Sequence, residues 1–173
     1  MKFEIPTLLT PRLTLRAMQP EDLGPFAAMQ ANPEVMRYLS TGTTRTTAET
    51  WDGMARMLGQ WALRGYGMFS VVENATGKWI GRVGILHPYE WDGPELAYGL
   101  DQPYWGRGYA TEAANIVHRW SFFKLGITSL VSYVYPENLG SRRVLEHLGA
   151  SNAGMVTILG SVRCELWQHR TPG

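Results

Sequence analysis

Short apolar runs alternate along the chain with polar segments rich in glycine, and the spacing of the apolar positions predicts the order of the elements. Leu13 and Leu15 take every second position of residues 12–17, as on one face of a strand. Further strand-like runs cover residues 67–73, 79–87, 95–100 and 130–135, and a terminal pair flanks Gly160. Residues 74–78 form a turn between the first two of these runs, and 95–100 is the next strand, which together predict an antiparallel meander.

Helical spacing is clearest in residues 110–125, where small and apolar side chains recur on one face. Pro20-Glu21-Asp22 has the acidic first turn of a helix, and Asn32-Pro33 restarts a short helix through Leu39. Thr46 and Glu49 form a capping-box pair before a helix that extends to about Leu63. A last helix is predicted over residues 141–148. The order of elements predicts an α+β protein with a mixed, strongly bent sheet.

Composition narrows the class of protein. With 173 residues, 45% of them hydrophobic, the chain suffices for one domain with a substantial core, so residues 1–173 are expected to form a single domain. The net charge is +1, from 16 basic and 15 acidic residues. So small a net charge would not attract the protein to nucleic acid or to an anionic membrane. A small polar ligand is favoured instead.

Cys164 is the only cysteine, which excludes an internal disulfide and a cysteine-cluster metal site. It lies in an alternating run and is expected to be a packed core thiol. Glu4 and Pro6 interrupt the apolar N-terminus, so no signal peptide is predicted, and no run approaches the roughly 20 apolar residues of a membrane span. The four histidines match no metal-ligand spacing. We therefore expect a soluble cytoplasmic protein without a metal.

Residues 101–112, DQPYWGRGYATE, carry the candidate chemistry. Gly106 and Gly108 lie in a turn between the strand 95–100 and the helix 110–125. Glycine lets such a turn aim successive backbone N–H groups at one point, and the following helix N-terminus adds a partial positive charge. The spacing predicts an anion site that fits a pyrophosphate.

Two other phosphate-binding designs fail on spacing. No G-x-x-x-x-G-K-[ST] string is present, which excludes a Walker loop. A dinucleotide fingerprint needs a third glycine or alanine, where this chain has Thr111, and an acid about 20 residues on, where residues 126–135 have none. The remaining alternative is that the two glycines only turn the chain.

The third design is the acyl-coenzyme A loop, and here the chain resembles the GNAT superfamily of N-acetyltransferases, in particular its RimJ/RimL-like branch of ribosomal-protein N-terminal acetyltransferases. The family's loop, Q/R-x-x-G-x-G/A, falls on residues 105–110, with tryptophan in place of the usual glutamine or arginine. The string W-G-x-G-Y-A-T-E-A is typical of the branch. Further matches in order are the segments TPRLTLR at 10–16, MRYL at 36–39, NLGS at 138–141 and LG at 148–149.

This resemblance implies the GNAT fold: a mixed, strongly bent central sheet flanked by helices, with a splayed strand pair that binds acetyl-CoA. It also implies which residues bind the cosubstrate. The backbone that holds the pantetheine arm and the acetyl oxygen is expected at Tyr98, Gly99 and Leu100. The phosphates are expected at the loop residues Trp105, Gly106, Arg107, Gly108, Tyr109 and Ala110, although Arg107 has an outward, solvated alternative.

Acetyl transfer to an amine requires a neutral amine, a stabilised oxyanion and a proton for the departing thiolate. Glu95 is the candidate base, because it begins the strand leading to the loop and the resemblance places an acid at this position. The alternatives are a solvated or paired strand carboxylate at Glu95, and catalysis through water by Glu90 or Asp92.

Ser141 is the candidate proton donor to the thiolate. Many GNAT enzymes use a tyrosine further along this helix, but that position is Leu145 here, so an ordered water or Tyr135 are alternatives. Asn138 has two open roles, a hydrogen bond to the pantetheine arm and an N-cap for the helix that follows.

The predicted function is therefore acetyl-CoA-dependent N-acetylation of a primary amine by direct attack on the thioester, with a protein N-terminal α-amine as the leading acceptor. The alternatives are a small amine, such as a polyamine, amino acid or antibiotic, and a non-catalytic acyl-CoA-binding module. The expected partners are acetyl-CoA and the acceptor, without nucleic acid or membrane. The sequence leaves acceptor identity, acyl-chain preference and oligomeric state open.

Overall fold

The fold is an eight-stranded mixed sheet with helices on both faces, in a computed structural model that describes residues 4–173. The strands are β1 (Leu8–Leu9), β2 (Leu13–Arg16), β3 (Met68–Glu73), β4 (Trp79–Leu86), β5 (Glu95–Leu100), β6 (Val131–Val134), β7 (Ser151–Ile158) and β8 (Val162–Gln168). The helices are α1 (Leu23–Ala31), α2 (Pro33–Met36), α3 (Thr47–Arg64), α4 (Tyr109–Phe123) and α5 (Leu139–His147), with short 3₁₀ turns at Pro20–Asp22 and Gln102–Tyr104.

The strands are ordered β1-β2-β3-β4-β5-β6-β8-β7. All neighbours pair antiparallel except β5 and β6, which are parallel and share one pair, Glu95 with Val131. Beyond Glu95 these two strands therefore separate. This arrangement confirms the predicted α+β fold, the meander of β3, β4 and β5, and the splayed strand pair.

Alternation along the strands divides the core between the two faces of the sheet. In β3, Phe69 belongs to the core cluster that also includes Val83 of β4 and Val117 of α4. Its neighbour Met68 belongs to a second cluster with Phe26 of α1. The sheet thus packs α4 on one face and α1 on the other, and β5 runs between the two clusters.

Local signals explain where the helices begin and end. The predicted capping box of α3 is present, with Thr46 Oγ1 accepting from Glu49 N at 3.2 Å and Glu49 Oε2 accepting from Thr46 N at 2.7 Å. Asn32 caps α2, as its Oδ1 accepts from Glu34 N at 3.0 Å. The helix α3 ends at Gly65, whose φ of 74° is the left-handed conformation that glycine adopts at low cost.

The structure differs from the predictions in a few places. The strand β1 was not predicted, because two leucines in a loop carry no period and gain strand geometry only by pairing with β2. The helix α5 begins at Leu139 rather than at residue 141. Cys164 is buried, as expected for a core thiol. None of the helices in residues 4–173 combines the length and apolar character needed to cross a membrane.

Candidate active site

A cavity of about 940 Å³ opens where β5 and β6 separate. Its wall combines β5, the segment that follows β5 as far as the start of α4, the end of β6 and the first turns of α5. These are the segments in which the sequence placed the cosubstrate and catalytic residues. The splay brings them together although they are up to 46 residues apart, between Glu95 and Ser141.

The glycine turn has the geometry of an anion site. Gly106 and Gly108 have φ angles of 71° and 79°, and Gly108 is the N-cap of α4 without a capping side chain from any described residue. The first helical hydrogen bond runs from Glu112 N to Gly108 O. The backbone N–H groups of the first turn before Glu112 therefore lack helical partners, and a pyrophosphate at this helix N-terminus would satisfy them.

The side chains of the turn mostly hold it in place. The Tyr109 hydroxyl donates to Glu73 Oε1 at 2.6 Å, and Trp105 Nε1 donates to Leu100 O at 2.8 Å. Arg107 is exposed and is absent from the cavity wall, and its guanidinium lies 5.6 Å from the centre of the Tyr104 ring. The outward alternative for Arg107 thus matches the structure, while the other five loop residues line the cavity. It is chiefly the backbone of this turn that faces the candidate phosphate position.

Tyr98, Gly99 and Leu100 all line the cavity on the part of β5 that has left β6. They pair with β4 on the other side, Gly99 with Arg82 and Tyr98 with Val83. The backbone edge that faces β6 has no ladder pairing beyond Glu95 among residues 4–173. Such an edge offers hydrogen bonds to an extended ligand such as a pantetheine arm.

Glu95 is buried, with 8% of its surface exposed, and lines the same cavity. Burial raises the pKa of its carboxyl to about 8, against the opposing effects of the Tyr133 backbone and the Arg82 guanidinium. No ion pair in residues 4–173 includes Glu95, which argues against the paired-carboxylate alternative. Glu90 and Asp92 are exposed and absent from the cavity wall. Glu34 and Glu137 also line the cavity but are exposed, so Glu95 is the buried carboxyl of its wall.

Ser141 and Tyr98 meet across the cavity wall. The Tyr98 hydroxyl lies 2.8 Å from Ser141 Oγ and 3.2 Å from the Ser141 carbonyl oxygen. Burial raises the pKa of the Tyr98 phenol, so this group stays protonated. From the sequence, only the backbone of Tyr98 was expected in the site, and the role of its side chain was not predicted. The signal was present, since a tyrosine next to Gly99 in a buried strand needs a partner for its hydroxyl.

The other positions considered for the proton donor are engaged in other contacts. Tyr135 lines the cavity, but it donates its hydroxyl to Ser40 O at 2.9 Å, which occupies its only proton. Leu145 is fully buried and packs in a cluster with Val134 and Trp167, so a side chain at this position on α5 faces the core. Ser141 also lines the cavity, and its hydroxyl contacts the Tyr98 hydroxyl rather than a backbone carbonyl.

Asn138 is the N-cap of α5, with its Oδ1 accepting from Ser141 N at 3.1 Å. The N-cap role is therefore confirmed. The residue also lines the cavity, so its amide N–H₂ keeps the pantetheine role open. Arg142 is 3.5 Å from Glu165 in an ion pair, whereas Arg143 is exposed and lines the cavity.

The candidate catalytic residues lie on opposite faces of β5. Glu95 pairs with Leu86 and Gly99 with Arg82, and paired residues of an antiparallel ladder share a face. A Cβ at Gly99 would lie 3.2 Å from Met29 of α1, so this face is the one covered by α1. Tyr98 points to the other face and meets α5. Glu95 and Ser141 thus flank the gap between β5 and β6 from opposite faces of the sheet.

Arg82 is the residue that the sequence analysis missed. Its Nε and Nη1 are shielded from solvent, although the side chain as a whole keeps partial exposure, and neither atom finds a hydrogen-bond partner in residues 4–173. The side chain lines the cavity on the same face as Glu95. An arginine inside the otherwise apolar strand WIGRVGIL was the available signal.

As to metals, residues 4–173 hold no group of three His, Cys, Asp or Glu arranged to bind one.

Comparisons with known proteins agree with this geometry. The model of the acetyltransferase (GNAT) domain family matches residues 12–151. An N-acetyltransferase called p20, from Bacillus licheniformis, is 30% identical over 152 residues, which is 87% of this chain and 85% of p20.

Among solved structures, an acetyltransferase from Agrobacterium tumefaciens superimposes with a TM-score of 0.86 at 31% identity, over 99% of this chain and 98% of that one. The ribosomal L7/L12 α-N-protein acetyltransferase RimL, solved with coenzyme A, has a TM-score of 0.79 over 97% and 98% of the two chains, and at 16% identity it shows the shared fold alone. The match of the family model, the relatives and the splayed cavity lead to one conclusion: this chain belongs to the acetyltransferase (GNAT) domain family and is an N-acetyltransferase.

Proposed function

We propose that this chain transfers an acetyl group from acetyl-CoA to an α-amine, with a protein N-terminus as the leading acceptor, in the RimJ/RimL-like branch of the family. The observation that carries the proposal is the buried carboxyl of Glu95 in the wall of the cavity where β5 and β6 separate, with its pKa raised by burial to about 8. An α-amine has a pKa of about 8, against about 10.4 for lysine. A base matched to its substrate transfers protons with little energetic cost in either direction, which favours an α-amine.

The cosubstrate fits the cavity in two parts. Its pyrophosphate would lie against the backbone N–H groups at Gly108 and the first turn of α4, and its pantetheine arm along the open edge of β5 at Tyr98, Gly99 and Leu100. Bound acetyl-CoA supplies the thioester whose carbonyl carbon the amine attacks. The same open backbone edge offers N–H donors to the oxyanion that forms there.

Proton movement is assigned to the residues on the two faces of β5. Glu95 on the α1 face takes a proton from the bound ammonium, and the neutral amine that results attacks the thioester. When the C–S bond breaks, the thiolate takes a proton from Ser141 on the α5 face, and the second proton of the nitrogen, released as the amide forms, restores Ser141. Tyr98, which stays protonated, holds Ser141 Oγ at 2.8 Å and limits its rotation. The amine enters and the thiolate leaves on opposite sides of the sheet, so the two proton transfers do not compete.

The one cysteine of the sequence supports the expected cytoplasmic location. The single cysteine is buried and unpaired, which suits the reducing cytoplasm.

The test is direct acetylation of an amine panel. The purified chain is incubated with acetyl-CoA and with peptides bearing free α-amines, the same peptides with blocked N-termini but free lysines, and small amines, and thiol release and product mass are followed. We expect peptides with free α-amines to be acetylated and blocked peptides to remain unchanged. Acetylation of lysine alone, or thiol release without any acetylated product, would overturn the proposal.

A further inference from the structure

A second cavity adjoins the first on the α1 face of the sheet. It has a volume of about 750 Å³ and lies between α3 and the end of β4, with the polar loop after α2 at its rim. Arg82, Leu39, Ser40, Leu86 and Pro88 line both cavities. A molecule that reaches Glu95 from this side therefore passes Arg82.

The second cavity is strongly cationic. Among the described residues 4–173, four arginines line it, Arg45, Arg56, Arg64 and Arg82, against one carboxylate, Glu49. None of the four forms an ion pair with a carboxylate of residues 4–173. Glu49 is engaged in the capping box of α3. For a chain whose net charge is +1, this local excess of positive charge is a property of the cavity and not of the whole surface.

Arg82 is the innermost of these groups. A shielded guanidinium with unpaired Nε and Nη1 costs free energy in the isolated protein, because both donors have lost water without gaining an acceptor. Burial lowers the pKa of Arg82, against the opposing attraction of the Glu95 carboxylate, and the neighbouring Arg45 lowers it further. A guanidinium presents N–H donors in the fork geometry that matches a carboxylate. A bound carboxylate would give an acceptor to at least one of these two donors, paired with Nη2.

We propose that the acceptor amine carries a carboxylate, and that Arg82, assisted by Arg45, binds this carboxylate and positions the amine at Glu95. The inference rests on the proposed function and adds the chemistry of the acceptor. The carboxylate has two possible sources: that of a free amino acid, or an acidic side chain near the N-terminus of a peptide. In either case one anionic group is bound on the α1 face while the amine of the same molecule faces the thioester.

The experiment compares matched acceptors. One arm sets a free amino acid against its carboxamide. The other sets a peptide amide with Asp or Glu at its second or third residue against the same peptide with Asn or Gln. The variants are Arg82→Gln, Arg45→Gln and, as control, Arg163→Gln, an exposed arginine of β8 outside both cavities.

We expect wild type to favour the carboxylate acceptor in one arm by about 10- to 100-fold in kcat/KM, the usual range for a hydrogen-bonded charge. Arg82→Gln should lose this preference mainly through KM, and Arg163→Gln should keep it. The arm that shows the preference identifies the source. Equal rates for the carboxylate and neutral acceptors of both pairs, or an undiminished preference in Arg82→Gln, would overturn the inference.

Two further measurements keep the test decisive. If Arg82→Gln does not fold, the wild-type preference and its reduction in Arg45→Gln decide the question. Calorimetric titration of coenzyme A distinguishes failure of the carboxylate site from failure of the proposed function. Acetylation of neutral and acidic amines at equal rates would contradict the carboxylate site alone. Coenzyme binding without acetylation of any amine would contradict the proposed function.

Discussion

The hydroxyl of Tyr98 lies 2.8 Å from Ser141 Oγ, and this contact joins β5 to α5 at the rim of the splay. Tyr98 stays protonated, and its one O–H proton is within reach of Ser141 Oγ at 2.8 Å and of the Ser141 carbonyl oxygen at 3.2 Å. When Tyr98 donates to Oγ, Ser141 directs its own proton into the cavity, toward the position expected for the thiolate. The pair, rather than Ser141 alone, is the unit that mutagenesis should address.

We predict that Ser141→Ala lowers kcat by about 10- to 100-fold while leaving coenzyme affinity within about threefold, because a donor to the leaving thiolate acts chiefly in the transition state. Tyr98→Phe should lower kcat less, and adding it to Ser141→Ala should have little further effect. Single-turnover rates and calorimetric titration of coenzyme A provide the two measurements. An intact single-turnover rate in Ser141→Ala would show that water or another residue supplies the proton.

Asn138→Ala should weaken coenzyme binding more than it lowers kcat, because it removes the amide N–H₂ that faces the cavity. Loss of the N-cap is also expected to cost about 0.5–2 kcal/mol of the free energy of unfolding. Asn138→Asp is the matched variant, since it keeps a capping oxygen and removes the donor. If Asn138→Asp binds coenzyme like wild type, the residue is a cap only.

Gly108→Val should abolish detectable coenzyme binding, because a β-branched residue at a φ of 79° disturbs the turn that orients the backbone N–H groups, and its Cβ would lie 3.4 Å from Arg12 Nη2. Gly126→Val is the control, as Gly126 has a similar φ of 68° and lies outside the cavity wall, so both variants carry comparable backbone strain. Circular dichroism verifies folding and calorimetry gives the affinity. Unchanged affinity in a folded Gly108→Val would remove the phosphate site from this turn.

The rate of Glu95→Gln should depend on pH in a specific way. With a base and an acceptor that both titrate near pH 8, the defect of the mutant should be constant below about pH 7 and shrink above about pH 8, where the neutral amine is abundant. The measurement is kcat/KM for the acceptor from pH 6 to pH 10, on the scale of these pKa values. A constant ratio over the whole range would mean that Glu95 only positions the acceptor.

Glu95 also links folding to pH. Its pKa is raised from 4.5 in the unfolded chain to about 8 in the folded protein, so the folded state binds the proton more tightly. The stability that this proton provides is complete below about pH 4.5 and is lost as pH rises through about 8, at up to about 1.4 kcal/mol per pH unit. Glu95→Gln should therefore gain stability relative to wild type between pH 5 and pH 8.

Urea denaturation at several pH values measures this difference, with the exposed Glu146→Gln as the control that should track wild type. Parallel stability curves for wild type and Glu95→Gln would show that the Glu95 carboxyl titrates near its ordinary value in the folded protein.

The sequence by itself determined the elements whose signals are local. The capping box of Thr46 and Glu49 depends on residues three apart, and the strand 95–100 is bounded by its own pattern, so both are found where they were predicted. The glycine turn before α4 was likewise readable, because left-handed φ angles and a helix N-terminus belong to one short segment. The burial of Cys164 followed from the alternation of β8.

Only the tertiary structure decided what depends on distant residues. The short strand β1 exists because it pairs with β2, and the raised pKa of Glu95 exists because the surrounding elements exclude water from its carboxyl. The contact of Tyr98 with Ser141 spans 43 residues of sequence, and Nε and Nη1 of Arg82 are unpaired because no group in residues 4–173 is placed to accept from them. Desolvation and hydrogen-bond satisfaction are properties of the packed environment, and no local pattern of residue types encodes them.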